Sequence, residues 1–142
     1  MPTDRFLKGM NAVHRALLKV TGGRVGYAAG DMPVVELTTV GRRTGEPRSV
    51  LLTAPVTEAD TLVVVASRGG DDRHPAWFLN LRAEPAVRVS VRGGPERPMR
   101  AEIVGPEERP ELWARIAGRY RNYAGYQRRT DREIPLVRLI PT

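Results

Sequence analysis

The chain of 142 residues is long enough to bury one core without staples, and one domain is the simplest reading of its length. It has no cysteine, which excludes a disulfide framework and a thiolate metal site. Its formal net charge of +7, nearly all of it arginine, favours an anionic partner: a nucleic acid, a membrane surface or a polyanionic small molecule. The first residues, MPTDRFLKGMNAVHRALLKV, interleave charge with apolar side chains and lack the continuous apolar run of a signal peptide or a membrane span, so a cytoplasmic location is expected. Within them Phe6, Met10, Val13, Leu17 and Val20 recur at alternate steps of four and three, which predicts an amphipathic helix over residues 1–22, capped at Thr3 or Asp4 and stopped by Gly22-Gly23. Arg5, Lys8, Arg15 and Lys19 fall near its polar side, an arrangement that would also suit peripheral contact with the inner face of a cell membrane.

From Val34 the pattern changes to short β-like runs. VVELTTV, RSVLLTAPV and TLVVVAS are predicted strands, followed after a short helix by AVRVSVR and RPMRAEIV around a GGPE turn, and at the end by IPLVRLI. The short helix lies in HPAWFLNLRAEP and is closed by Pro85. A longer one lies in PEERPELWARIAGRYR, with proline and acids in its first turn. About six antiparallel strands with short flanking helices predict a mainly β fold, a small barrel with α additions, formed as one domain whose barrel covers residues 34–142.

Residues able to carry chemistry are few. His14 and His74 lie in different elements, no HExxH-like spacing exists, and no nucleophile stands beside a base, so hydrolysis and metal chemistry find no support. Four features remain. The turn GRRTGEPR places Arg42, Arg43 and Arg48 where a tighter hairpin would use Asn-Gly, and it reads either as a solvated turn or as an anion clamp. In ASRGGDDRHPAW, Gly69-Gly70 lets a backbone approach a ligand closely. Trp77, just after Pro75, reads on its own as a core aromatic. Tyr120, Tyr123 and Tyr126, at a spacing of three, read as a helix packing one ring after another.

Together, LTTVGRRTGEPRSV, VVASRGGDDRHPAWFLNLRAEPAVRV and YQRRTDREIPLVRL resemble the deazaflavin-dependent nitroreductase family, coenzyme F420-dependent oxidoreductases with a split β-barrel similar to that of FMN-binding proteins. The resemblance runs from about Val34 to the end of the chain in three separated motifs. It implies an enzyme that passes hydride from reduced F420 to a quinone, a nitroaromatic or a similar flat electrophile. It further implies that Arg42, Arg43, Thr44, Gly45 and Arg48 bind the cofactor's anionic tail, that Ser67, Arg68, Gly69 and Gly70 line its ring and side chain, and that Pro75, Ala76 and Trp77 form a wall beside it. Thr53, Tyr120, Tyr123 and Tyr126 would face the acceptor. Ser67, Tyr123 or Tyr126, or solvent, would supply the proton. Thr53 stands where the family often has an aromatic, and a smaller side chain there would widen the acceptor pocket.

Other readings compete. A split barrel that binds FMN or haem with little turnover shares the fold, although three arginines suit a longer polyanionic tail than a single phosphate. A nucleic-acid-binding barrel would interleave aromatics with cations along exposed strands, whereas the strands here carry Val, Leu and Thr, so no nucleic acid is expected. A small-molecule electron acceptor is the expected partner, with the protein a monomer or a homodimer.

Overall fold

The structure, a computed structural model, describes residues 28–29 and 32–142. The expected N-terminal helix, with His14, lies outside the described residues. The alternating runs form strands β1 (Ala28–Ala29), β2 (Met32–Val40), β3 (Pro47–Thr53), β4 (Val56–Glu58), β5 (Thr61–Val65), β6 (Ala86–Val91), β7 (Arg97–Ile103) and β8 (Leu136–Pro141). Among the described residues three α-helices accompany them: α1 (Ala76–Ala83), α2 (Arg109–Arg119) and α3 (Arg121–Arg128). Every ladder is antiparallel.

The order β3-β2-β6-β7-β8-β5-β4 puts β3 and β4 at opposite ends of the sheet, with β1 pairing the start of β2. Yet Ala54 and Pro55 alone separate β3 from β4 in the chain. Two ends of a sheet joined by so short a link must come together, so the sheet curls into a barrel left open between them. RSVLLTAPV, expected as one strand, is thus two. Pro55 has no N–H to give a ladder, and the Ala54 N–H donates to Pro33 O (3.1 Å) at the corner where the chain passes from one edge to the other.

Alternation sorts the core into two. Val35 and Leu37 of β2, Leu62 and Val64 of β5, Val87 and Val89 of β6, Met99 and Ala101 of β7, and Val137 and Leu139 of β8 point into the barrel, where Trp77, Phe78 and Leu81 of α1 close it. On the opposite face of the sheet, Val63, Val65 and Leu136 meet Leu112 and Ile116 of α2 and Tyr123 of α3. Both faces of β5 are covered, which explains its unbroken apolar run. The Gly105–Glu108 turn delays α2 to Arg109, with Pro110 in its first turn, and Tyr120 breaks α2 from α3 by adopting an extended backbone, φ −126°.

Candidate active site

The arginine turn joins β2 to β3. The Gly41 N–H donates to Glu46 O and the Gly45 N–H to Gly41 O, both at 2.8 Å, while Gly45 takes φ +73°, a conformation that favours glycine. Arg42, Arg43 and Arg48 are exposed. Arg42 is held: its backbone N–H (3.2 Å) and its guanidinium (2.9 Å) both donate to Oδ1 of Asn80 on α1. Asn80 is itself buried, and its Nδ2 donates to the buried Thr39 hydroxyl at 3.1 Å. One side chain therefore ties the cationic turn to the helix that carries Trp77. Arg48 lies 3.8 Å from Glu46, a separation at which an exposed pair contributes little.

A second turn follows β5. Arg68 (φ +47°), Gly69 (φ +64°) and Gly70 (φ +84°) are successive left-handed residues. Arg68 folds back, with Nε 3.3 Å from Asp71 Oδ2, and both side chains are almost wholly buried, so its charge is balanced within the turn. At Gly70 a Cβ would stand 2.7 Å from Tyr126 O, which shows how closely α3 packs on this turn.

The two turns face each other across a cleft of about 450 Å³. Its lining includes Arg42, Arg43, Thr44, Arg48, Ser67, Arg68, Gly69, Pro75, Ala76 and Trp77, ten residues named from the sequence, brought together from three segments. Gly45 and Gly70 are not in the lining; each supplies the positive φ of its turn. Trp77 joins the two readings of the sequence: it is 8% exposed and part of the core, yet it borders the cleft. Asn80, Gly41 and Ser49–Leu52 line the cleft too and were not foreseen. Val50, Leu51 and Leu52 are consecutive apolar residues, and all remain half-buried because β3 is an edge strand bordering open space. Asn80, a lone amide between Leu79 and Leu81, was the available signal for a buried polar tie.

The structure does not bring Thr53, Tyr120, Tyr123 or Tyr126 into the cleft lining. The three rings stack edge to face, with centroids 6.4 and 6.0 Å apart. Tyr123 is 5% exposed, and its hydroxyl lies 3.0 Å from Thr53 Oγ1 and donates to Met32 Sδ at 3.6 Å. Burial, with smaller contributions from the neighbouring tyrosines and against the opposing Thr53 hydrogen bond, raises its pKa, so the phenol keeps its proton at neutral pH.

A family profile described as F420H(2)-dependent quinone reductase matches residues 11–141. The chain belongs to the F420H(2)-dependent quinone reductase family. A quinone reductase of that description from Mycobacterium tuberculosis is 39% identical over 131 residues, 88% of this chain and 85% of the relative. A solved F420-H2 dependent reductase, FDR-A, is 38% identical with a TM-score of 0.65, covering 75% of this chain and 93% of its own. A solved domain-swapped dimer is 34% identical with a TM-score of 0.64, covering 92% and 98%. The nitroreductase resemblance thus narrows to the quinone reductases, and the protein is an oxidoreductase whose cofactor is reduced F420.

The reductase's cleft suits such a group chemically. F420 joins a flat ring to a tail of phosphodiester and carboxylates. The cleft joins an apolar part, made by Trp77, Val50, Leu52 and Val65, to exposed guanidinium groups on the turn. Planar, permanently charged forks match phosphate and carboxylate alike.

Proposed function

We propose that the cleft holds F420 with its anionic tail on Arg42, Arg43 and Arg48 and its ring beside Ser67–Gly69 and Pro75–Trp77. The observation carrying this reading is the convergence of three distant segments on one cleft that is cationic at the turn and apolar elsewhere. When bound, the cofactor supplies the hydride. The protein's part is to bind and orient. Asn80 fixes the direction of Arg42, so one tail contact is set before binding, and the cost of ordering that side chain is already met. Trp77, locked by the core, offers a rigid wall, which favours a near-attack arrangement of donor and acceptor. Such a division of labour requires no nucleophile and base pair from the protein.

On the acceptor side we assign the half-buried Tyr120 and Tyr126, because α3 packs against the turn that borders the cleft, with Tyr123 and Thr53 supporting them from within. Ser67 borders the cleft, and we assign its hydroxyl as the protein group that relays a proton from water. The acceptor is a quinone by family, with nitroaromatics as further flat electrophiles to test. The 34% identical domain-swapped dimer supports a homodimer, to be read by light scattering of the purified protein.

Fluorescence titration with F420, with FMN and haem in parallel, tests the main reading. F420 should bind at micromolar concentration or below and FMN much more weakly; equal affinities would overturn it. Arg43→Glu should weaken F420 binding, and the loss should shrink as salt rises, because exposed charges are screened over about 10 Å at 0.1 M ionic strength. A loss indifferent to salt would point to misfolding instead.

A further inference from the structure

Arg132 lies between α3 and β8, outside the cleft lining, and its half-buried guanidinium reaches back to the turn after β5. Its Nε donates to Asp71 O at 2.8 Å. One terminal nitrogen donates to Ser67 O (2.8 Å) and Ala66 O (3.2 Å), and the other lies 3.1 Å from His74 Nδ1. A single planar group thereby touches the turn at its beginning, middle and end. The segment adds a further tie, for the Thr130 hydroxyl donates to Asp72 Oδ1 at 2.7 Å and accepts from the Arg132 N–H at 3.3 Å.

Such a clamp answers a physical need. Left-handed backbone at three successive residues, one of them not glycine, persists when its surroundings over-determine it. Short-range bonds, Gly70 N–H to Ser67 O and Asp71 N–H to Arg68 O, close the turn on itself but do not fix its place against the rest of the protein. The Arg132 guanidinium does so at three carbonyls, alongside the Thr130–Asp72 bond and a longer one from Arg129 Nη1 to Gly69 O at 3.4 Å. Burial lowers the pKa of Arg132, opposed by Asp71 and Asp72, which favour its charge, and with Arg68 adding to the lowering; arginine stays protonated there where lysine would be more easily neutralised.

We infer that Arg132 is a positioning residue of the reductase: by holding the main chain at Ala66, Ser67 and Asp71 and the ring of His74 it sets the surface on which the cofactor rests, without reaching the cleft itself. This rests on F420 occupying that cleft.

Arg132→Lys tests it, since an ammonium keeps the charge but cannot bridge the same spread of acceptors. In the ligand-free protein, amide hydrogen exchange over residues 67–74 should rise about tenfold or more, because local protection reports local opening. F420 affinity should fall by a similar factor. The KM for the quinone should stay near the parent's, and kcat at saturating F420H2 should change far less than the KM for F420H2. Arg109→Lys is the control. Arg109 is another guanidinium bound to this C-terminal segment, donating to Ile134 O at 3.2 and 2.7 Å, and it too is outside the cleft lining. That variant should lower the melting temperature while leaving exchange over residues 67–74 and F420 affinity unchanged. Unchanged exchange there in Arg132→Lys would overturn the inference. So would an Arg109→Lys variant that loses as much F420 affinity for the same loss of melting temperature. If the parent itself fails to bind F420, the functional reading falls separately, and the ligand-free exchange still decides whether Arg132 holds the turn.

Discussion

Trp77 occupies core and cleft wall at once, so its substitution has two consequences that must be measured apart. Trp77→Ala removes a large buried ring and should cost about 3 to 5 kcal/mol of stability along with cofactor affinity. Thermal melts give the first and F420 titration the second; a variant that melts and binds like the parent would deny both roles. The tyrosines divide differently. Tyr123→Phe leaves Thr53 Oγ1 without its partner and should cost about 1 kcal/mol, with F420 affinity unchanged because Tyr123 is outside the lining. Parallel falls in kcat and kcat/KM with unchanged stability would instead put its hydroxyl on the acceptor in the transition state. For Tyr126→Ala, a raised KM for the quinone at constant F420 affinity is expected from steady-state kinetics.

At the level of elements, the site depends on how α3 lies against the turn at Arg68–Gly70. Gly70→Ala would set a methyl 2.7 Å from the main-chain oxygen of Tyr126 and 3.0 Å from Arg129 Cβ, at a residue whose φ of +84° already disfavours any side chain. Backbone on the far side cannot yield as a flexible side chain would. Expected are a lower melting temperature and weaker F420 binding together; Gly69→Ala, with open space around its Cβ, should show the smaller effect in both measurements. At Gly45 of the arginine turn, by contrast, nothing stands within 4 Å and the constraint is φ alone.

For the molecule as a whole, His74 links stability to pH. Burial lowers its pKa from 6.5, and Arg132 and Arg82 add to the lowering. Its ring also packs on Phe78, with centroids 4.8 Å apart. Well above pH 6.5 the imidazole is neutral in both folded and unfolded chains, so it contributes no pH dependence there. As pH falls below that value the unfolded chain takes up the proton first, and stability declines until the folded pKa is passed. Melting temperature should therefore drop on acidification below about pH 6.5, and His74→Gln should flatten that part of the profile. An identical slope in the variant would assign the acid sensitivity to other groups.

Much of this architecture is local and so could be read in the sequence. Side-chain alternation marks the strands because successive residues face opposite sides of a sheet, and the helix of Trp77 ends where Pro85 requires. The arginine turn and the Gly69-Gly70 turn announce themselves by composition, and ten of the residues named from them and from the Pro75–Trp77 run do meet at one cleft. What the chain could not show locally is which distant partner satisfies a buried polar group. Asn80 reads as one amide in an apolar run until Arg42 and Thr39 are placed beside it, and Arg132 as one of many arginines until its guanidinium is seen against the carbonyls of Ala66, Ser67 and Asp71. The same holds for the division of RSVLLTAPV, since only closure of the sheet places β3 and β4 on opposite edges, and for Tyr123, whose burial follows from α3 covering the outer face of β5 and β8. Periodicity is a property of neighbours in the chain, whereas burial and hydrogen-bond partners are properties of neighbours in space.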